Sequence, residues 1–161
     1  MEVAMDSIVL LSGGYDSVYC LMRTANYRKA KCLFFNYGQP YLEQERQAIR
    51  ILSDLLLIDC EEILITPLNN SGNTFLNRNE IFITRASQRS PKEIYFGTRN
   101  LFPLFDEHGD SNWWWAKKMG RKLGVPIKTP AVGLPKSLVI STVHSFGIPK
   151  EAIFSSEGYT V

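Results

Sequence analysis

The apolar residues of this chain fall alternately into short runs and helical stripes. Ile8-Val9-Leu10-Leu11 is cut off by Ser12-Gly13-Gly14, and so short a run bounded by glycines predicts a buried parallel strand. Val18, Leu21, Met22 and Ala25 then repeat at helical spacing. Residues 31–37 read as a second strand stopped by Gly38. Pro40 stands where a long helix can open, since proline at the first helical position forfeits no hydrogen bond. Leu42, Ala48, Ile49, Leu52, Leu55 and Leu56 give that helix an apolar face. Residues 62–65 predict a third strand ending at Pro67, and residues 68–77, rich in Asn and Ser, predict a loop. A helix over residues 79–89 is halted by Ser90-Pro91, and Ile94-Tyr95-Phe96 forms a fourth strand ended by Gly97. A loop over residues 98–110 leads to a helix that closes at Gly124, a residue suited to a C-cap. Residues 125–129 give a fifth strand and residues 135–147 a last helix. The alternation predicts an α/β fold: a parallel five-stranded sheet with helices on both faces, in one domain spanning 1–161.

Composition narrows the function classes. Hydrophobic residues make up 45 % and charged residues 21 %, which excludes disorder and fibres. A net charge of +2 does not advertise a nucleic-acid or membrane surface. The 3 cysteines, Cys20, Cys32 and Cys60, form no C-x-x-C pair. That excludes a disulfide scaffold and an all-cysteine zinc site, and fits a reducing compartment. Those thiols read as small buried residues. No apolar stretch reaches the roughly 18 residues of a membrane span, and the start MEVAMDS lacks the basic residues of a secretory signal. A cytoplasmic protein is expected.

The strongest chemical signal is Ser12-Gly13-Gly14-Tyr15-Asp16-Ser17, set between a strand and a helix. Paired glycines allow a tight turn in which several N–H groups face one anion, and the following helix adds its positive end. Ser12 and Ser17 supply hydroxyl donors, and Asp16 is placed to hold the loop or help bind a metal. Lys136 sits just inside the start of the last helix, where the helix dipole disfavours a positive charge, a conflict that a bound anion removes. Trp113-Trp114-Trp115 cannot share one helical face, so at least one is expected to be exposed or in a homodimer contact.

The hexapeptide resembles the pyrophosphate (PP) loop of the N-type ATP pyrophosphatases, whose fold is adenine nucleotide alpha hydrolase-like, or Rossmann-like. A Walker A loop would need G-K-[ST], which is absent. Within that superfamily, Phe35-Asn36-Tyr37-Gly38-Gln39 is similar to the F-x-Y-G-Q signature of 7-cyano-7-deazaguanine synthases. Asn73-Thr74-Phe75-Leu76-Asn77-Arg78-Asn79 is similar to their N-T-F-x-P-G-R-N stretch, with one residue fewer and Asn77 in place of Pro-Gly. Thr129-Pro130 through Lys136 matches their T-P-x-x-x-x-x-K pattern. Gly97-Thr98 resembles the strand end that leads into the deazapurine loop, where this chain reads Asp106-Glu107-His108-Gly109-Asp110-Ser111.

The resemblance implies ATP and Mg2+ as cofactors, with Ser12, Gly13, Gly14, Asp16, Ser17 and Lys136 on the phosphates. It implies Arg78, Lys136 and Asp16 as catalytic residues, and Tyr37, Gln39, Asn79, Thr98, Asp106 and Asp110 as substrate-binding ones. The implied reaction adenylates the carboxylate of 7-carboxy-7-deazaguanine, and ammonia displaces AMP on the way to the nitrile. The chain leaves no residues for a glutaminase domain, so free ammonia is the expected donor. Where the family's zinc-binding cysteines begin, this chain reads Ser155-Ser156-Glu157-Gly158-Tyr159, so no structural zinc is expected. Two alternatives stay open: AMP-forming activation of another nucleobase or a tRNA, and a nucleotide-binding regulator without turnover.

Overall fold

Strands buried on both faces need no polar alternation, and the apolar run at residues 8–11 is the centre of such a sheet. The structure, a computed structural model, describes residues 5–66, 78–103 and 109–155. In chain order it contains β1 (Met5–Leu10), α1 (Tyr15–Met22), β2 (Lys31–Asn36), α2 (Leu42–Leu56) and β3 (Asp59–Leu64). These are followed by α3 (Arg78–Ser87), β4 (Pro91–Tyr95), α4 (Trp113–Leu123), β5 (Ile127–Lys128), α5 (Lys136–Ser145) and a 3-10 turn (Lys150–Ala152). The strands pair in parallel in the order β3-β2-β1-β4-β5, the expected α/β class. The chain builds outward from β1 to β3, then crosses to lay β4 on the other side of β1. That reversal opens a crevice at the carboxyl ends of β1 and β4.

Successive residues of β1 serve two cores. Val9 packs with Val18 and Leu21 of α1, Leu52 of α2 and Val139 of α5. Ile8 and Leu10 pack with Leu33, with Ile83 of α3 and with Met119 of α4. Ile8 and Val9 are both wholly buried, as a central strand covered on both sides requires.

Element ends depart from the sequence reading for physical reasons. Pro40 lies before the N-cap of α2, which is Tyr41; the Leu42 N–H bonds the Gln39 carbonyl, so a turn precedes the helix. β3 begins at Asp59 rather than at residue 62. It is an edge strand with Leu64 69 % exposed, so its first residues, Asp59-Cys60-Glu61-Glu62, need no apolar run, and its ladder to Lys31–Asn36 defines its start instead. Pro91 opens β4 opposite Met5 instead of merely halting a helix, a place where a strand tolerates proline. α1 stops at Met22 and leaves Ala25 exposed. Gly124 closes α4 at φ +72°, as expected. Cys32 and Cys60 are register partners with reduced thiols, and burial pushes both thiols up, Cys60 to about 12. Among the described residues no helix is long and apolar enough to cross a membrane.

Two local devices fix the crevice. The first is a bracket around the turn after β2. Gln39, only 3 % exposed, accepts the Tyr37 N–H at 2.9 Å and donates from Nε2 to the Phe35 carbonyl at 3.0 Å. The same nitrogen donates to Glu45 Oε1 at 2.9 Å. Glu45 is buried in the first turn of α2; burial pushes its carboxyl up to about 7, against the opposing pull of Gln39 and the Arg78 guanidinium. The second device is Gly97, just past β4. A Cβ there would stand 2.9 Å from the Ser17 nitrogen and 3.0 Å from the Asp16 carbonyl carbon, both backbone atoms of α1.

Gly97→Ala therefore forces the end of β4 away from α1. It is expected to cost about 1–3 kcal/mol in denaturant unfolding, and a variant as stable as the parent would refute the close contact. For Glu45 the sign follows from a folded-state pKa of about 7 against an ordinary 4.5: the native state holds the proton more tightly. Wild-type stability should fall as pH rises between those values and level off above them. Glu45→Gln removes that slope. The variant should gain on the wild type by up to about 3 kcal/mol between about pH 4.5 and pH 8 in urea unfolding. An unchanged difference across that range contradicts the assignment.

Candidate nucleotide site

The glycine loop takes its shape from Gly13, whose φ of +87° lies where residues with side chains are strained. The Gly13 carbonyl accepts the Phe154 N–H at 2.8 Å, which ties the loop to the last described segment. Gly14 is the extended N-cap of α1 and provides no side-chain cap, so the helix start is left to receive an anion. The two serines brace each other across the turn: the Ser12 N–H donates to Ser17 Oγ at 3.1 Å, and the hydroxyls lie 3.2 Å apart. Behind the loop, Tyr15 Oη lies 2.8 Å from His144 Nε2. His144 Nδ1 faces the Ile148 carbonyl at 2.8 Å, so Nδ1 carries the proton and Nε2 accepts the tyrosine hydroxyl.

A cavity of about 540 Å³ opens at the carboxyl ends of β1 and β4. Ser12, Gly14, Asp16, Ser17 and Lys136 line it, as do Tyr37, Arg78, Asn79 and Phe82. Lys136 is the first residue of α5, so it reaches the cavity from a second helix start; the Pro135 N-cap supplies no side-chain bond. The structure thus gathers residues that the sequence scatters over more than a hundred positions. Gly13 is not in the wall; its contribution is the turn.

The aromatic side of the cavity holds Arg78. Its Nη1 donates to Tyr37 Oη at 3.1 Å, and its guanidinium carbon stands 5.5 Å from the Tyr37 ring centre. Phe82, one helical turn on, stacks on Phe35 with centroids 4.3 Å apart and leans on Tyr37 at 5.7 Å. Burial pushes the Tyr37 hydroxyl above its ordinary range, with Arg78 pulling the other way. A cavity lined by a helix start, cationic side chains and aromatic rings suits a ligand that joins phosphates to a planar base.

Several expected substrate residues line the cavity while their polar atoms are engaged within the chain. Gln39 is consumed by the bracket described above. Thr98 donates to the Ser111 carbonyl at 2.7 Å and accepts the Asn100 N–H at 3.3 Å. Asn79 Nδ2 donates to the Asp110 carbonyl at 3.0 Å, so Asp110 meets the site through its backbone and does not line the cavity. Asp106 lies outside the described residues, as do residues 67–77, where a loop over 68–77 was expected, and residues 156–161. Trp114 is 52 % exposed, whereas Trp115 packs on Phe96 at 5.8 Å, so the three tryptophans do divide between faces.

The sequence reading passed over three residues. Glu45 carries no signal beyond an acid beside an apolar stripe. Asn112 is wholly buried and caps α4, accepting the Trp115 N–H at 2.8 Å, a cap readable from its place before the tryptophans. Arg99 follows Gly97-Thr98 directly, but only the topology brings its Nε to 3.4 Å from Asp16 Oδ1.

For a metal, the described residues hold no cluster of three His, Cys, Asp or Glu side chains. Asp16, a single carboxylate lining the cavity, could hold Mg2+, which commonly binds through one or two carboxylates plus ligand phosphates and waters.

Comparison with known proteins gives concordant results. The sequence model of the queuosine biosynthesis protein QueC family matches residues 6–105. The chain is 23 % identical over 171 aligned positions to 7-cyano-7-deazaguanine synthase 1 of Sulfurisphaera tokodaii, covering 94 % of this chain and 82 % of that protein. Among solved structures it is similar to NMN synthetase from Francisella tularensis, with TM-score 0.60 and 18 % identity over 94 % of this chain and 66 % of the other. It is also similar to a predicted tRNA methyltransferase subunit from Methanocaldococcus jannaschii, with TM-score 0.52 and 15 % identity over 87 % and 74 % of the two chains. At those identities the structural likeness is one of fold. The family match takes in the glycine loop, Tyr37-Gly38-Gln39 and Arg78-Asn79, and with it this chain belongs to the QueC family.

Proposed function

We propose that the protein is an AMP-forming ATP-dependent ligase that converts 7-carboxy-7-deazaguanine and ammonia to 7-cyano-7-deazaguanine. The observation that carries this reading is the convergence of the uncapped start of α1, Lys136 and the Arg78–Tyr37 pair on one cavity at the crevice between β1 and β4. The name of the relative from Sulfurisphaera tokodaii supports the choice of substrate.

In this reading the N–H groups of the glycine loop and the hydroxyls of Ser12 and Ser17 hold the β- and γ-phosphates. A substrate carboxylate oxygen attacks the α-phosphorus, the bond to the β-phosphate oxygen breaks, and pyrophosphate leaves with its charge offset by Lys136. Ammonia then adds to the activated carbonyl and AMP departs, leaving the amide and one released proton. The amide oxygen then attacks the α-phosphorus of a second ATP and a second pyrophosphate leaves; cleavage of the carbon–oxygen bond releases AMP, and loss of two protons from nitrogen gives the nitrile. Arg78, hydrogen-bonded to Tyr37 Oη, faces the planar substrate or the transferring phosphate. Mg2+, when bound, screens the phosphates beside Asp16. The three free cysteines, two of them buried, agree with a cytoplasmic enzyme.

Incubation with Mg-ATP, ammonia and 7-carboxy-7-deazaguanine should release AMP and pyrophosphate only when the deazapurine is present. Nucleotide binding without substrate-dependent AMP would favour the regulator, and AMP formed only with tRNA would favour the tRNA alternative. Lys136→Ala should lower kcat about a hundredfold or more, the scale for removing one group that meets developing charge. It should change the affinity for a non-hydrolysable ATP analogue far less; equal losses in both would make Lys136 a ground-state binding residue.

A further inference from the structure

Three polar residues follow Gly97 in a row, and the structure uses them differently. Thr98 and Asn100 both turn to the far loop, donating to the same Ser111 carbonyl at 2.7 Å and 3.2 Å. Arg99 turns the other way, to the glycine loop, where its Nε stands 3.4 Å from Asp16 Oδ1. That Nε is sealed from solvent and donates no hydrogen bond among the described residues. A buried donor left unmade is costly, and a guanidinium carries five donors in a fixed fork shaped for an oxyanion.

Retreat is blocked. The Arg99 carbonyl accepts the Gly133 N–H at 3.0 Å, and Gly97 packs its backbone directly on Asp16 and Ser17. The Arg99 and Asp16 side chains nevertheless keep 29 % and 25 % of their surface, and both line the cavity, so a ligand reaches them.

We propose that Arg99 is a second anion-binding element of this site. Arg99 rests against Asp16 in this structure, and on binding it closes its fork on an oxyanion of the ligand. The anion is a phosphate of the nucleotide or the carboxylate of the acceptor. The identity of that anion rests on the ligase reading; the need for an anion rests on the geometry of Arg99 alone.

The test is calorimetric titration of the full chain with inorganic pyrophosphate and, separately, with 7-carboxy-7-deazaguanine. Wild type, Arg99→Gln and Arg99→Lys are compared after circular dichroism and thermal unfolding have established that each is folded. Arg99→Gln should weaken one of the two ligands by about tenfold or more, and Arg99→Lys should fall between, because a point charge lacks the fork. Loss confined to pyrophosphate identifies the anion as phosphate; loss confined to the deazapurine identifies the carboxylate. Affinities for both within about twofold of wild type in folded variants overturn the proposal and leave Arg99 a strut for Asp16. If Arg99→Gln does not fold, Arg99→Lys decides by the same comparison. A wild type that binds neither anion also overturns it. Arg99-dependent pyrophosphate binding with no substrate-dependent AMP overturns the ligase reading and leaves this one standing.

Discussion

The site depends on one close approach of two backbones. The end of β4 lies so near the first turn of α1 that the position facing it has no room for a single carbon atom, which is why Gly97 stands there. That contact sets the width of the crevice, aims Arg99 at Asp16 and lets Thr98 and Asn100 reach the loop at Ser111. Sheet order alone would place a crevice between β1 and β4. The glycine makes it narrow enough for residues from both strands to meet one ligand.

Around that contact the molecule separates support from contact. Gln39, Thr98 and Asn79 spend their hydrogen bonds on the chain's own backbone and hold three loops at fixed distances. Lys136, Arg78 and Arg99 bring positive charge to the cavity from three different elements. Glu45 is the counterpart of this arrangement, a buried acid held by Gln39 within the field of Arg78. Its raised pKa is the cost of a rigid bracket, because burial that orders the turn also disfavours the charge.

What the sequence made legible follows from which interactions are local. The alternation of runs and stripes was enough for the parallel sheet, and Ser12 through Ser17 were legible as a strand-to-helix turn at the cavity because glycine pairs and helix starts act within a few residues. β3 was misplaced at its start because an edge strand is defined by a neighbour's ladder and not by its own burial. Pro91 looked like a terminator because its pairing with Met5 lies across the fold. Thr98 and Gln39 were legible as site positions but not as braces, since a side chain's hydrogen-bond partner is a tertiary fact. Arg99 was hidden for the same reason: nothing adjacent to it announces Asp16.

The bond from the Phe154 N–H to the Gly13 carbonyl has a consequence for how the site comes into being. The glycine loop is encoded near the start of the chain, yet one of its hydrogen bonds is supplied from residue 154. During synthesis, β1 and α1 emerge first, but their turn lacks that clamp until the segment after α5 has been made and has docked. Contacts so distant in sequence form late. The chain therefore acquires a sheet before it acquires a finished glycine loop, and a nascent chain stalled before that segment would present the loop without its lock.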